Sequence, residues 1–242
     1  MTDDAPPIWP LTPLSRALAD FDAMLDGTPH AAFFRNIETI AGMFDEQKRL
    51  GRLCQRIYLL TFVGAFLIFL GPLPAGAKIS AGVAEIGLSA IPQQVIAFAT
   101  ASAYAFFVTQ FSSLIVLQQM IERVLRREGY ESWQFFSARF DASNLWTALF
   151  AGKTVGYASP KRHLALTILL GLTSLLAILF HSLIVLAALW AAELSAIASG
   201  HIFLKTVATT GAIIGSAAFL ALIALVAVRM PFRLSVPDVH SK

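Results

Sequence analysis

Residues 48–73 read KRLGRLCQRIYLLTFVGAFLIFLGPL. The basic side chains Lys48, Arg49, Arg52 and Arg56 stop before Ile57, and the stretch Ile57–Leu73 that follows carries no charge. About 20 apolar residues in a helix cross the ~30 Å hydrocarbon layer of a bilayer. Amides inside lipid find no water, so such a stretch must satisfy its own backbone as a helix. Three further stretches of this kind follow, Val95–Ile121, Leu164–Ala192 and Val207–Val228. The chain therefore reads as an all-α integral membrane protein with four transmembrane helices, joined by amphipathic cytoplasmic helices at the N-terminus and in the central loop.

Composition agrees with that class. Of 242 residues, 57% are hydrophobic and only 14% charged, where a soluble domain has about a quarter charged. A net charge of +3 does not point to nucleic acid, because the basic residues crowd the ends of the spans, where lipid headgroups lie. The single cysteine, Cys54, excludes an internal disulfide. The acidic start at Asp3 and Asp4, with the first apolar run more than fifty residues in, argues against a cleavable signal peptide.

Lys and Arg in short loops resist translocation and so set orientation. Residues 122–163 hold Arg123, Arg126, Arg127, Arg139, Lys153, Lys161 and Arg162, and Arg229 and Arg233 follow the last span. The opposite loops hold Lys78 with Glu85, and Glu193 with Lys205. Three parts result: cytoplasmic N-terminal helices over 1–56, a four-helix membrane domain over 57–228 with a cytoplasmic loop at 122–163, and a cytoplasmic tail over 229–242. Outside, residues 75–92 are too short and broken to span and are expected to form an interfacial helix or a loop, with a second small loop at 193–206.

The N-terminal part carries helix punctuation. Thr12 and Pro13 open a helix whose Leu14, Leu18, Phe21 and Leu25 share a face, and Gly27 closes it. Thr28 and Pro29 open a second, with Phe33, Ile37, Ile40 and Phe44 on one face, that can run unbroken to Gly71, with Gly42 and Gly51 as possible bends. The central loop interleaves Trp133, Phe135, Phe136, Phe140, Trp146 and Phe150 with Arg139, Asp141 and Asn144. That segment can lie at the headgroup boundary or pack against the N-terminal helices.

Few residues suggest chemistry. Lys48, Arg52 and Arg56, four apart, share a helix face that continues into the bilayer through Leu60, Val63 and Leu67. Around a symmetry axis they would form positive rings above a dry constriction, suited to anions and to gating by dewetting. The competing reading is that they are positive-inside anchors on anionic lipid. His181 is the one ionisable residue in the middle of a span, on a stripe with Thr167, Gly171, Ser174 and Ala188. Ser102, Thr109, Gln110 and Ser113 of the second span can face it, lining a hydrated path or joining helices in a dry bundle. Gly211 and Gly215 allow close helix approach, within a subunit or between subunits.

Other chemistry lacks its residues. His163 and His201 stand near opposite span ends rather than level with His181, which removes the paired ligands a membrane haem needs. Gly152-Lys153-Thr154 resembles the end of a phosphate loop, but Thr147 stands where the earlier glycine is required. No zinc-ligand spacing or nucleophile elbow occurs, so no cofactor, metal or enzymatic activity is expected. The expectation is an oligomeric channel or pore subunit gated by its cytoplasmic helices. Its alternative is a membrane-anchored accessory subunit, recruiting a cytoplasmic partner through 1–45 and 122–163, such as the membrane effector of a bacterial defence or stress system. An Ala- and Leu-rich chain without sorting signals suits a bacterial inner membrane. An inverted-repeat transporter ranks last, since the two halves share no visible similarity.

Overall fold

In the computed structural model, which describes residues 8–26, 30–71, 78–81, 84–87, 92–127 and 160–233, helices dominate. The order is β1 (Ile8–Leu11), α1 (Pro13–Asp26), α2 (His30–Arg35), α3 (Ile37–Leu70), β2 (Lys78–Ala81), β3 (Ala84–Gly87), α4 (Gln93–Arg127), α5 (Pro160–Ser199), α6 (Ile202–Ala227) and β4 (Met230–Arg233). Helices α3, α4, α5 and α6 are long and apolar enough to cross a membrane. The aromatic segment from Trp133 to Phe150 and the Gly152-Lys153-Thr154 triplet lie outside the described residues. The chain divides into two compact units, one of Met1–Gly51, Ser112–Gly171 and Ala221–Lys242, the other of Arg52–Phe111 and Leu172–Leu220.

The first unit is built on the N-terminal punctuation. Thr12 caps α1 by accepting the Ser15 amide at 3.1 Å on its hydroxyl, while its carbonyl takes the Arg16 amide at 2.9 Å. Leu18, Phe21 and Leu25 are buried, and Phe21 and Leu25 join Ile40, Phe44, Ile121, Val124 and Leu125 in one core. Arg123 pairs with Asp22, and Arg127 reaches Asp26 at 2.7 Å, so two arginines one turn apart on α4 clasp two aspartates one turn apart on α1. β1 runs antiparallel to β4, with Pro10 opposite Pro231. A two-stranded ribbon tolerates both prolines, since every position is on an edge.

The expected unbroken helix from Pro29 is interrupted at Asn36, not at Gly42 or Gly51, both of which lie inside α3. The Asn36 side chain accepts the Glu38 amide at 3.0 Å and its carbonyl takes the Ile40 amide at 3.1 Å, so it caps a new helix. That restart puts Phe33 on a separate helix, where it is 61% exposed. Ile40 and Phe44 are buried as expected, whereas Ile37, the first residue of α3, is 56% exposed.

In the second unit Ala65, Ala101, Ala188, Ala192 and Ala196 are fully buried beside the larger Ile68, Tyr104, Val185 and Leu189, while Phe62, Phe66, Leu183 and Leu194 are exposed. Small buried residues let apolar helices approach closely. Gly64 lies where a Cβ would collide with Thr100, Gly211 where it would stand 3.3 Å from the Phe98 Cα, and Gly215 where it would strike Leu189. The Gly211/Gly215 pair therefore packs within the chain, against α4 and α5. Gln93 donates to the Ile68 carbonyl, tying the start of α4 to the end of α3.

Two elements differ from expectation. Helix α5 continues past Ala192 to Ser199, because nothing from Glu193 to Ser199 breaks a helix until Gly200, whose φ of 72° ends it. The stretch expected as an interfacial helix or loop contains the antiparallel pair β2–β3, with Ile79 opposite Ile86.

Candidate functional site

The middle of the second unit is organised around His181, only 1% exposed. Its Nε2 lies 3.0 Å from Thr61 Oγ1. The single Thr61 hydroxyl proton is already donated to the Tyr58 carbonyl at 2.9 Å. Thr61 can therefore only accept from the ring, which assigns the proton to Nε2 and leaves Nδ1 as a bare acceptor. Nδ1 has no partner among the described residues.

Four aromatic rings enclose the imidazole. Tyr58 stacks on it with centroids 4.0 Å apart, Phe62 lies parallel at 6.4 Å, Phe107 meets it edge-on at 5.9 Å, and Tyr104 is tilted at 6.3 Å. Tyr58 and Phe62 stand one turn apart on α3, and Tyr104 and Phe107 one turn apart on α4, so α3 and α4 each supply one wall. The Tyr104 hydroxyl is also buried without a hydrogen-bond partner among the described residues. Ser182, next to His181, donates back to the Ile178 carbonyl at 2.8 Å.

This geometry revises the sequence reading of His181 in two ways. Its hydroxyl partner is Thr61 of the first span, not a residue of the second. Ser102 and Thr109 instead donate to their own helix, to the Phe98 carbonyl at 2.9 Å and the Ala105 carbonyl at 3.0 Å. Gln110 is half-buried and Ser113 exposed. The side chains of Thr167, Gly171 and Ser174 lie outside the described residues. Secondly, His181 is level with Thr61, five residues beyond Arg56 on α3, or about 7.5 Å along the helix. It is thus level with the arginine-bearing end of the apolar stretch of α3, while along its own helix it keeps its place near the middle of Leu164–Ala192.

The arrangement fastens α5 to α3. The Thr61 proton points at a carbonyl instead of the imidazole, and among the described residues no carboxylate orients Nδ1, so these residues do not form the relay that activates a hydroxyl nucleophile. A second polar link was hidden from the sequence reading: Thr209 of α6 donates to Glu193 of α5 at 3.1 Å, and the other carboxylate oxygen is buried without a partner among the described residues.

The basic face lies elsewhere on α3. Arg52, Arg56, Leu60 and Val63 are exposed, and Lys48 and Leu67 half-buried. The opposite face, through Cys54, Ile57, Thr61, Ala65 and Ile68, is buried. Thr61 had a visible signal, as the lone polar side chain between Leu59 and Leu70. The aromatic cage had none, because its members look like any other apolar residue in a span. No family model, curated protein or solved structure matches the chain.

Proposed function

We propose that this chain is a subunit of a homo-oligomeric membrane channel or pore, with its path on the axis between subunits and its cytoplasmic helices as gate. The supporting observation is the outward face of α3, where Arg52 and Arg56 are exposed one turn apart and Leu60, 61% exposed, follows one turn later. Repeated around an axis, this face gives arginine rings that select anions, followed by an apolar constriction. His181, in contrast, is sealed by aromatic rings and serves packing. The chain works without cofactor, metal or nucleic acid, and catalyses no reaction. It resides in a bacterial inner membrane with both termini in the cytoplasm, where the basic loops favour staying. Reconstituted in planar bilayers, the protein should pass anions, and Arg52→Glu with Arg56→Glu should shift selectivity toward cations. Silence at every voltage, or selectivity indifferent to charge reversal, removes this reading.

A second reading draws on Met24, Phe33 and Ile37, which are 44%, 61% and 56% exposed and precede the apolar stretch that begins at Ile57. Lipid tails do not account for apolar surface there. In this reading the spans anchor a cytoplasmic surface that recruits a soluble partner, as an accessory subunit or the membrane effector of a bacterial defence or stress system. Deleting residues 1–45 should abolish partner recovery while the spans still insert. Unchanged recovery counts against it.

A further inference from the structure

We propose that His181, Ser182 and Tyr104 bind one internal water molecule, which joins α5 to α4 inside the apolar bundle.

His181 is 1% exposed and Tyr104 fully buried, yet among the described residues neither the His181 Nδ1 nor the Tyr104 hydroxyl has a hydrogen-bond partner. Each such group costs stability unless something small completes it. The two come from different helices and are neighbours: their rings have centroids 6.3 Å apart and are tilted by 52°. Ser182, fully buried next to His181 on α5, lies close to the Tyr104 hydroxyl, short of hydrogen-bond geometry. A bridging molecule with two hydrogen bonds of about 2.8 Å spans up to roughly 5.6 Å. Polar atoms on the rims of rings so placed are within that reach.

Proton counting identifies the occupant. Tyr104 offers one hydroxyl proton. Nδ1 offers a lone pair, because the ring proton sits on Nε2 and goes to Thr61. Ser182 offers another, its own proton being donated to the Ile178 carbonyl at 2.8 Å. A molecule that accepts once and donates twice completes all three groups, and water does so with the three hydrogen bonds usual for a buried one. A cation would find no counter-charge, since the acidic residue on α5, Glu193, is twelve residues from His181, or about 18 Å along the helix. Tyr58, Phe62 and Phe107 close the rest of the surroundings with aromatic rings, so a larger polar ligand gains no further partner. So held, the water extends the clasp to a third helix: α5 bonds α3 through Nε2 and α4 through Nδ1.

Magic-angle-spinning NMR of the full chain, labelled with nitrogen-15 at histidine and reconstituted in lipid bilayers, tests the site. His181, assigned from its sequence neighbours, should show a protonated Nε2 and an Nδ1 resonance upfield of a bare acceptor, with a cross-peak from Nδ1 to water protons. Nδ1 at the bare-acceptor position overturns the proposal. A cross-peak to the Tyr104 hydroxyl proton in place of water also overturns it, by assigning a direct bond. Tyr104→Phe supplies a second readout through its sign. Removing an unpaired buried hydroxyl stabilises, whereas removing one that is bonded to water destabilises. The variant should therefore lower the thermal midpoint in detergent by about 2–4 °C and move the Nδ1 resonance. A raised or unchanged midpoint overturns the proposal.

Discussion

At the scale of single residues the bundle depends on a few polar atoms whose geometry leaves little freedom. Thr61 spends its proton on the Tyr58 carbonyl and accepts one from His181 Nε2 at 3.0 Å, so removing either partner strands the other in an apolar interior. Thr61→Val and His181→Phe should each destabilise the fold. Their double-mutant cycle should return a coupling of about 0.5–1.5 kcal/mol, measured by reversible unfolding in mixed micelles. A coupling indistinguishable from zero would mean the two groups do not meet. His181 stood out in the sequence because an imidazole within an apolar span is rare. Its partner was misassigned because helical periodicity tells which residues share a face on one helix, not which helix that face meets. Glu193 escaped for a related reason: hydropathy falls near Ala192, but the helix does not end there.

At the scale of elements, the sequence was legible wherever local chemistry decides the outcome. Thr12 and Pro13 open α1, Gly71 ends α3 with a φ of 71°, and the four apolar stretches lie on four long helices. It was illegible where two weak local signals compete. Asn36 is an ordinary helix residue until its side chain finds the Glu38 amide, and glycine is the more familiar bend. Glycines also cannot be sorted from sequence into packing sites and vacant ones, though the structure separates them. Gly42 has open space where a Cβ would stand, so Gly42→Ala should stabilise α3 by about 0.5–1 kcal/mol. Gly215 lies against Leu189, so Gly215→Leu should cost roughly 1–3 kcal/mol by overpacking. Asn36→Ala should lose about 1 kcal/mol with the cap. Thermal unfolding of the three variants in one detergent checks all the signs together, and a stabilised Gly215→Leu would contradict the α5–α6 contact.

At the scale of the whole molecule, the pairing of Ile8–Leu11 with Met230–Arg233 carries an argument about topology that charge counting does not. A segment before the first span can lie beside a segment after the last only if the chain crosses an even number of times. Strands that pair in this way cannot be divided between compartments. Trp9 and Phe232 are directly opposite one another in the antiparallel register, where Cα atoms are about 4.5–5.5 Å apart, within the span of a disulfide. In a Cys54→Ser background, Trp9→Cys with Phe232→Cys should therefore cross-link under mild oxidation, giving a monomer whose gel mobility changes on reduction. Three or five crossings would put the cysteines on opposite faces and leave them unlinked. The same variant, kept reduced, reports orientation. If the arginine-bearing ends stay inside, a membrane-impermeant maleimide should label neither cysteine in intact cells and both after permeabilisation, whereas labelling of intact cells would invert the topology and put the N-terminal helices on the outer face.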